Sequence, residues 1–486
     1  MKILRASGLS CLAVFCVAVS GRWADAAGQP LRLPLLKGWR VKPAADAGKL
    51  ADKFFRADFD DSRWNTTDIT PGKPRYSERY VFYRKWVQAP AAWREKRVQV
   101  VFRGVDDDAV VWLNGRKLGE HKGWNEAFSF EASGALNYGG RNLLAVLADN
   151  SGGGDAGFWQ PVELVLAEEI ARLKAAQEAK LRKELKALPF KIVFETRRKG
   201  NWELFTVNAD GSNPVNLTRT PDINELYPHV SPDGKRVCFV ADEGEGGKKV
   251  RSVWYMKLDG TGRTLVARNA RQPCWSPDGT RIAYLKGEFE RFSYRDFATK
   301  GIFIYDLKTG QHHEHPNKSI CHLYNICWSP DAKWFISTVH AGMGFRHGIL
   351  ALEAAGQKVF NLGIPGCRPD ISPDGHLVAW GPSDWALRRG KLDFSGPRPR
   401  VVDQRDIVTS RKPMKVYHVD WSPDGRYVAF SRGPSRKRLG YAPEMVGIPA
   451  EGWNICVGDA TAKNRWVAIT TEGNCNKEPD WVPVAK

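Results

Sequence analysis

One four-residue phrase recurs five times in this chain: Ser231-Pro232-Asp233-Gly234, Ser276-Pro277-Asp278-Gly279, Ser329-Pro330-Asp331-Ala332, Ser372-Pro373-Asp374-Gly375 and Ser422-Pro423-Asp424-Gly425. The copies start 45, 53, 43 and 50 residues apart, close to the ~40 to 50 residues that one four-stranded propeller blade needs. An apolar or aromatic residue precedes each Ser (Val230, Trp275, Trp328, Ile371, Trp421), and a strand-like run such as Arg426-Tyr427-Val428-Ala429-Phe430 follows. The phrase therefore reads as a tight turn between two strands. Pro presets φ at the second position, Asp bonds its own backbone, and Gly takes the positive φ that a Cβ penalises.

A sixth, truncated copy, Pro479-Asp480-Trp481-Val482, stands at the C-terminal end. Phe190 to Phe194, Trp202 to Val207 and Pro214 to Thr218 supply three strands without partners of their own. One late strand added to three early ones makes a complete blade, so residues 190–486 are expected to form a six-bladed β-propeller zipped shut by its two ends, with no long sheet edge left open. The phrases, with strand-ending turns such as Leu258-Asp259-Gly260-Thr261-Gly262, resemble the TolB-like (WD40-like) propeller repeats. That resemblance implies fold more than function, because the family spans scaffolds, peptidase accessory domains and lyases.

The front of the chain follows other rules. Lys2 and Arg5, the apolar stretch Leu9 to Ser20 and the small residues Ala24-Asp25-Ala26 read as a signal peptide over residues 1–26, which places the protein in the periplasm or outside the cell. Residues 27–167 hold short strands at even spacing, among them Phe82-Tyr83-Arg84-Lys85-Trp86 and Ala109-Val110-Val111-Trp112-Leu113, the latter ending at the hairpin pair Asn114-Gly115. An antiparallel jelly-roll sandwich is expected. In order and wording the segment resembles the galactose-binding-like domain at the N-terminus of family 2 glycoside hydrolases. That resemblance implies a sugar-binding fold without glycosidase activity, since the catalytic barrel of those enzymes has no counterpart in a chain whose remainder is propeller. Residues 168–189, rich in Ala, Glu, Lys and Leu and ended by Pro189, form a helical linker with acids first and bases last, as the helix dipole favours. The fold class is thus all-β, with one helix between a sandwich and a propeller.

The formal charge of +19, concentrated in the repeats, attracts anionic partners. For an exported protein these are acidic glycans or envelope components; nucleic acid is not expected, and no stretch is long and apolar enough to span a membrane. Of nine cysteines, seven follow the leader, without a Cys-x-x-Cys pair to mark a structural zinc site, and their pairing is not readable.

Chemistry is expected where inner strands line a propeller's channel. Strand alternation puts the residues two and four places before each Ser, or before Val482 in the truncated copy, on one face. These rows give His229, Asp370, Asp420 and Asp480, and Arg368, His418 and Glu478, with Arg271, His322, Tyr324 and Tyr417 at the mouth. The set offers binding of a divalent metal through His and carboxylates, of an acidic sugar through Arg271, Arg368 and Tyr324, or structural bonds between strands. No Gly-x-Ser-x-Gly elbow and no phosphate loop occurs, and no complete catalytic constellation is visible. His312-His313-Glu314-His315 falls where an exposed outer strand belongs. On the sandwich, the polar loop from Asn150 through Asp155 to Phe158 and Trp159 is the candidate sugar contact, whereas Trp64 and Trp112 read as core. The expected function is non-catalytic recognition of a glycan or an envelope protein, with a polysaccharide lyase and a TolB-like scaffold as alternatives.

Overall fold

The computed structural model describes residues 28, 30–72, 75–123, 127–150, 153, 155–244 and 246–483. The expected signal peptide, and Ser151, Gly152 and Gly154 of the polar loop, lie outside the described residues. Two compact units divide between Ala176 and Gln177, inside the α-helix Ala167–Lys186.

The first unit is built on a four-stranded sheet (Arg32–Pro34, Val162–Leu166, Val98–Phe102, Phe128–Glu131) and a six-stranded sheet (Asn65–Thr67, Trp39–Ala44, Tyr80–Gln88, Arg141–Asp149, Asp108–Leu113, Arg116–His121), each in spatial order. Alternation decides which side chains enter the core. Val98, Val100 and Phe102 point in from one sheet and Ala109, Val111 and Leu113 from the other, all buried. Asn114 and Gly115 both take positive φ, 52° and 80°, at the hairpin between Asp108–Leu113 and Arg116–His121. The outer face of the large sheet is covered too. Trp112 points there and stacks on Phe55 at 5.1 Å, beside buried Phe54, Trp64 and Phe82. Buried Arg84 holds that cover down, pairing with Asp61 at 2.6 Å and donating to the Arg56 carbonyl at 2.8 Å. Trp64 is core, as expected, and Trp112 packs partly buried against the same cluster.

The second unit contains six four-stranded antiparallel sheets. Five use consecutive strands; the other runs Val215–Asn216, Asn201–Asn208, Lys191–Arg198, Cys475–Val482, so the last strand does pair with the first ones. Ile192 lies opposite Trp481 in that pairing. The end of the helix packs on the same sheet through buried Leu181 and Leu185, each side chain contributing about 1.5–3 kcal/mol by removal from water. Arg465 secures it by donating to Glu184 at 2.6 Å.

The recurring phrase is the expected turn with one addition. Gly234 N–H donates to the Ser231 carbonyl at 2.8 Å, Gly234 has φ +67°, and Asp233 accepts from Lys235 N–H at 3.1 Å. The Ser hydroxyl is the addition: it donates to Asp233 at 2.5 Å and accepts the Arg236 N–H at 2.9 Å, locking the start of the next strand. Every copy repeats this Ser–Asp bond, including the third, where Ala332 sits at φ +59°.

Candidate functional site

Each inner strand carries a bulge. Four residues before the Ser, or before Val482, the backbone turns left-handed in all six sheets, at Tyr227, Gln272, Asn325, Arg368, His418 and Glu478, with φ between 48° and 58°. The pairing register shifts at the same places. A bulge re-aims side chains, and here it keeps Arg368, His418 and Glu478 in one cavity with Asp370, Asp420 and Asp480.

The row nearer the Ser joins one sheet to the next. Asp480 accepts the Val230 N–H at 3.0 Å, Asp420 the Trp481 N–H at 2.8 Å and Asp370 the Trp421 N–H at 2.9 Å. His229 Nδ1 takes the Trp275 N–H more loosely, at 3.5 Å, and burial lowers its pKa, which suits an accepting, neutral ring. Each backbone donor would otherwise be buried without a partner. Burial, and then the mutual proximity of the acids, push these carboxyls upward: Asp370 to about 6, Asp480 by burial to about 8, and Asp420 well above its ordinary value.

The other row holds two long insertions, residues 288–298 and 435–453. Arg368 is 4% exposed and donates to Glu478 at 2.7 Å, to Asp296 of the first insertion at 2.8 Å and to the Glu444 carbonyl of the second at 3.3 Å. His418 Nε2 donates to the same Glu444 carbonyl at 2.8 Å; burial, then Arg368 and Lys477, keep this ring neutral. Lys477 donates to the carbonyls of Pro443, Met445 and Ile448 at 3.2, 2.7 and 3.1 Å. Arg271, 2% exposed, donates to the carbonyls of Ser293 and Arg295 at 3.3 and 2.8 Å. The insertions meet where Tyr294 and Tyr441 approach to 5.7 Å.

The cavity left between these groups measures about 50 Å³ and is lined from five of the six sheets. At about 10–15 Å³ per water centre it has room for a few waters, and none for a sugar ring. Among the described residues no three His, Cys, Asp or Glu side chains converge as metal ligands.

The remaining candidates sit outside the cavity. His322 bonds the Ala341 carbonyl at 2.8 Å and Glu288 at 3.2 Å. The Tyr417 hydroxyl donates to Asp384. Tyr324 is partly buried, its hydroxyl pKa raised by burial and by the Cys367 thiol. His312–Glu314 is an exposed outermost strand, as expected; His315 turns in and bonds the Glu353 carbonyl at 2.8 Å. All seven described cysteines are free thiols.

On the first unit, Phe158 is fully buried and stacks on Tyr83 at 3.9 Å. That corrects its reading as a sugar platform: a ring with no exposed face packs core. Asn150 is buried as well, while Trp159 is half-buried over Gly104, and Asp155 is exposed, 3.4 Å from Arg75. Sequence reasoning missed Asp296, Glu444 and Lys477, since nothing in the repeats links two distant insertions to the inner strands.

Comparison with known proteins gives matches of two kinds. Residues 51–154 match the family described as "Beta-galactosidase second all-beta domain". A β-glucuronidase of Bacteroides fragilis is 36% identical over 87 residues, 18% of this chain and 12% of the relative. Dipeptidyl-peptidase 5 of Porphyromonas gingivalis is 25% identical over 285 residues, 48% of this chain and 40% of the relative, and a TolB homolog of Chlorobium luteolum is 26% identical over 161 residues, 25% and 35%. The chain is thus similar over residues 51–154 to a β-galactosidase-type all-β domain and over 161 residues to a TolB homolog. It spans less than half the length of each of these relatives. Among solved structures, TolB of Acinetobacter baumannii is similar at 17% identity with a TM-score of 0.46, over 71% of this chain and 80% of that one. No helix among the described residues is long and apolar enough to cross a membrane.

Proposed function

We propose that the chain is an exported, non-catalytic binding protein that recognises a carbohydrate or cell-envelope component, and that its six sheets close into a six-bladed propeller. Closure is supported by the bonds from Trp481 N–H to Asp420 and from Val230 N–H to Asp480, which link the sheet shared by the first and last strands to the sheets on both sides. One observation carries the absence of catalysis: the guanidinium and imidazole of the cavity, Arg368 and His418, are bound to Glu478 and to a carboxylate and a carbonyl of the two insertions, in a space of about 50 Å³. A catalytic Arg or His needs a free face toward substrate. A carbohydrate ligand is supported by the match of residues 51–154 and by relatives named for glucuronides and galactosides. Export is supported by the leader read at residues 1–26.

Affinity electrophoresis tests this reading. The mature chain is run through gels holding neutral, uronate-rich or sulfated polysaccharides at low and high salt. Retention by at least one polymer is expected, weakening with salt where acidic groups take part; free passage through every gel contradicts it.

A further inference from the structure

Four large apolar side chains are well exposed among the described residues, and two of them, Phe289 (46%) and Leu439 (67%), belong to the two insertions. The same two insertions carry an aromatic seam. Phe292 meets Tyr294 edge-on at 4.8 Å, Tyr294 faces Tyr441 at 5.7 Å, and the Tyr441 backbone pairs with Arg438 in a small hairpin whose tip is Leu439. Cations sit on these rings: Lys249 lies 4.6 Å from the Phe292 centroid, with its ammonium 3.4 Å from the Tyr294 hydroxyl, and Arg291 lies 5.7 Å from that of Phe289.

The charge here is unbalanced. Exposed Arg291, Arg436 and Lys437 have no carboxylate partner among the described residues, and Asp242, the acid nearest Lys249 at 3.9 Å, is engaged by Arg251 at 2.7 and 2.8 Å. Nearby acids are mostly used, Glu288 by His322 and Glu451 by Arg438, which leaves Glu290. The seam is also held in place. Arg271, Arg368, His418 and Lys477 fix the bases of both insertions from below, so the surface is presented without the ordering cost that mobile loops incur on binding.

We infer that the seam formed by residues 289–294 and 437–441 with Lys249 is a binding surface for a uronate-bearing polysaccharide. This rests on the reading of the chain as a glycan binder and names the place and the ligand class. A ring exposing one face covers the C–H face of a pyranose, and an adjacent ammonium or guanidinium pairs with its carboxylate. The exposed Phe289 ring with Arg291 over it, and Arg436 and Lys437 on the facing insertion, fit a charged polymer better than a neutral glycan.

The intact chain is measured against polygalacturonate, a neutral galactan and polyglutamate at one ionic strength. Phe289→Ala/Arg291→Ala/Lys437→Ala removes one ring and two cations from exposed positions, and Lys235→Ala/Lys308→Ala removes two cations from exposed turns elsewhere. Polygalacturonate is expected to retain the wild type, with a loss of about tenfold or more in the triple variant and a change within about twofold in the control. Retention that the triple variant leaves intact, or that the control loses equally, overturns the inference while the glycan-binding reading stands. So does binding of galactan alone. Equal dependence of polyglutamate binding on the seam reassigns it to an acidic protein partner and overturns it. Binding of no polymer overturns the inference, and the electrophoresis panel then decides the glycan-binding reading separately.

Discussion

Arg368 and Glu478, 110 residues apart in sequence, meet at 2.7 Å with both side chains buried. With Asp296 the pair forms a buried triad that anchors an insertion. Breaking a buried pair from one side leaves an uncompensated charge. Arg368→Ala is therefore expected to lower stability by about 3–5 kcal/mol in urea unfolding followed by tryptophan fluorescence. A loss within experimental error would mean that the triad is not buried as described.

The cavity acids make stability depend on pH in a direction opposite to ordinary paired carboxylates. Asp370 and Asp480, at about 6 and about 8, hold protons in the folded state at pH values where the unfolded chain has lost them. Their stabilisation is complete below the unfolded value near 4 and is lost as pH rises through the folded values. Neutral His418 works the other way, but only below the unfolded histidine value of ~6.5. Between about pH 6.5 and 8.5 stability should therefore fall, by at most about 1.4 kcal/mol per pH unit for each proton. Asp480→Asn keeps an oxygen for the Val230 N–H and should flatten that slope. An unchanged slope would remove Asp480 as its source.

The turn phrase carries a paired test. Ser422→Ala deletes both the bond to Asp424 at 2.6 Å and the acceptor for the Tyr427 N–H at 2.9 Å, and is expected to cost about 1–3 kcal/mol. Ala332→Gly relieves a left-handed alanine and is expected to gain up to about 1 kcal/mol. Thermal midpoints moving the other way in either variant would contradict the turn's geometry.

Phe158 separates core from ligand contact. Phe158→Ala should cost about 3–5 kcal/mol, because the ring is packed between Trp39 and Tyr83 at 5.0 and 3.9 Å. Below its unfolding transition the variant should bind polysaccharide as the wild type does. A weakened complex with unchanged stability would restore it as a contact.

How much of this was legible in the residues depends on range. Ser-Pro-Asp-Gly is a local instruction, and its turn appears in every copy with the expected positive φ. Trp481 could be placed opposite the first strand because the repeat pattern lacked a strand there. Asp370 and Arg368 line one cavity, but regular alternation is not what brings them there: a bulge lies between them, and it has no signature of its own, since Tyr227, Asn325 and His418 share no side-chain type that marks left-handed backbone. The insertions were opaque for a different reason. Asp296 and Glu444 reach Arg368 across 72 and 76 residues, and no periodicity reports such a contact. Arg368 and Arg271 accordingly read as free to hold a ligand, when the fold uses them to hold its own chain.

The central claim is that the enclosed polar cluster holds the fold and that recognition happens without bond cleavage. Incubating the mature chain with the polysaccharide that retains it most strongly, and following both unsaturated products and reducing ends, tests this directly. Retention with neither product is the predicted result. Products that accumulate with time and vanish in Arg368→Lys or His418→Gln, each still folded, would make the cavity an active site and contradict the account.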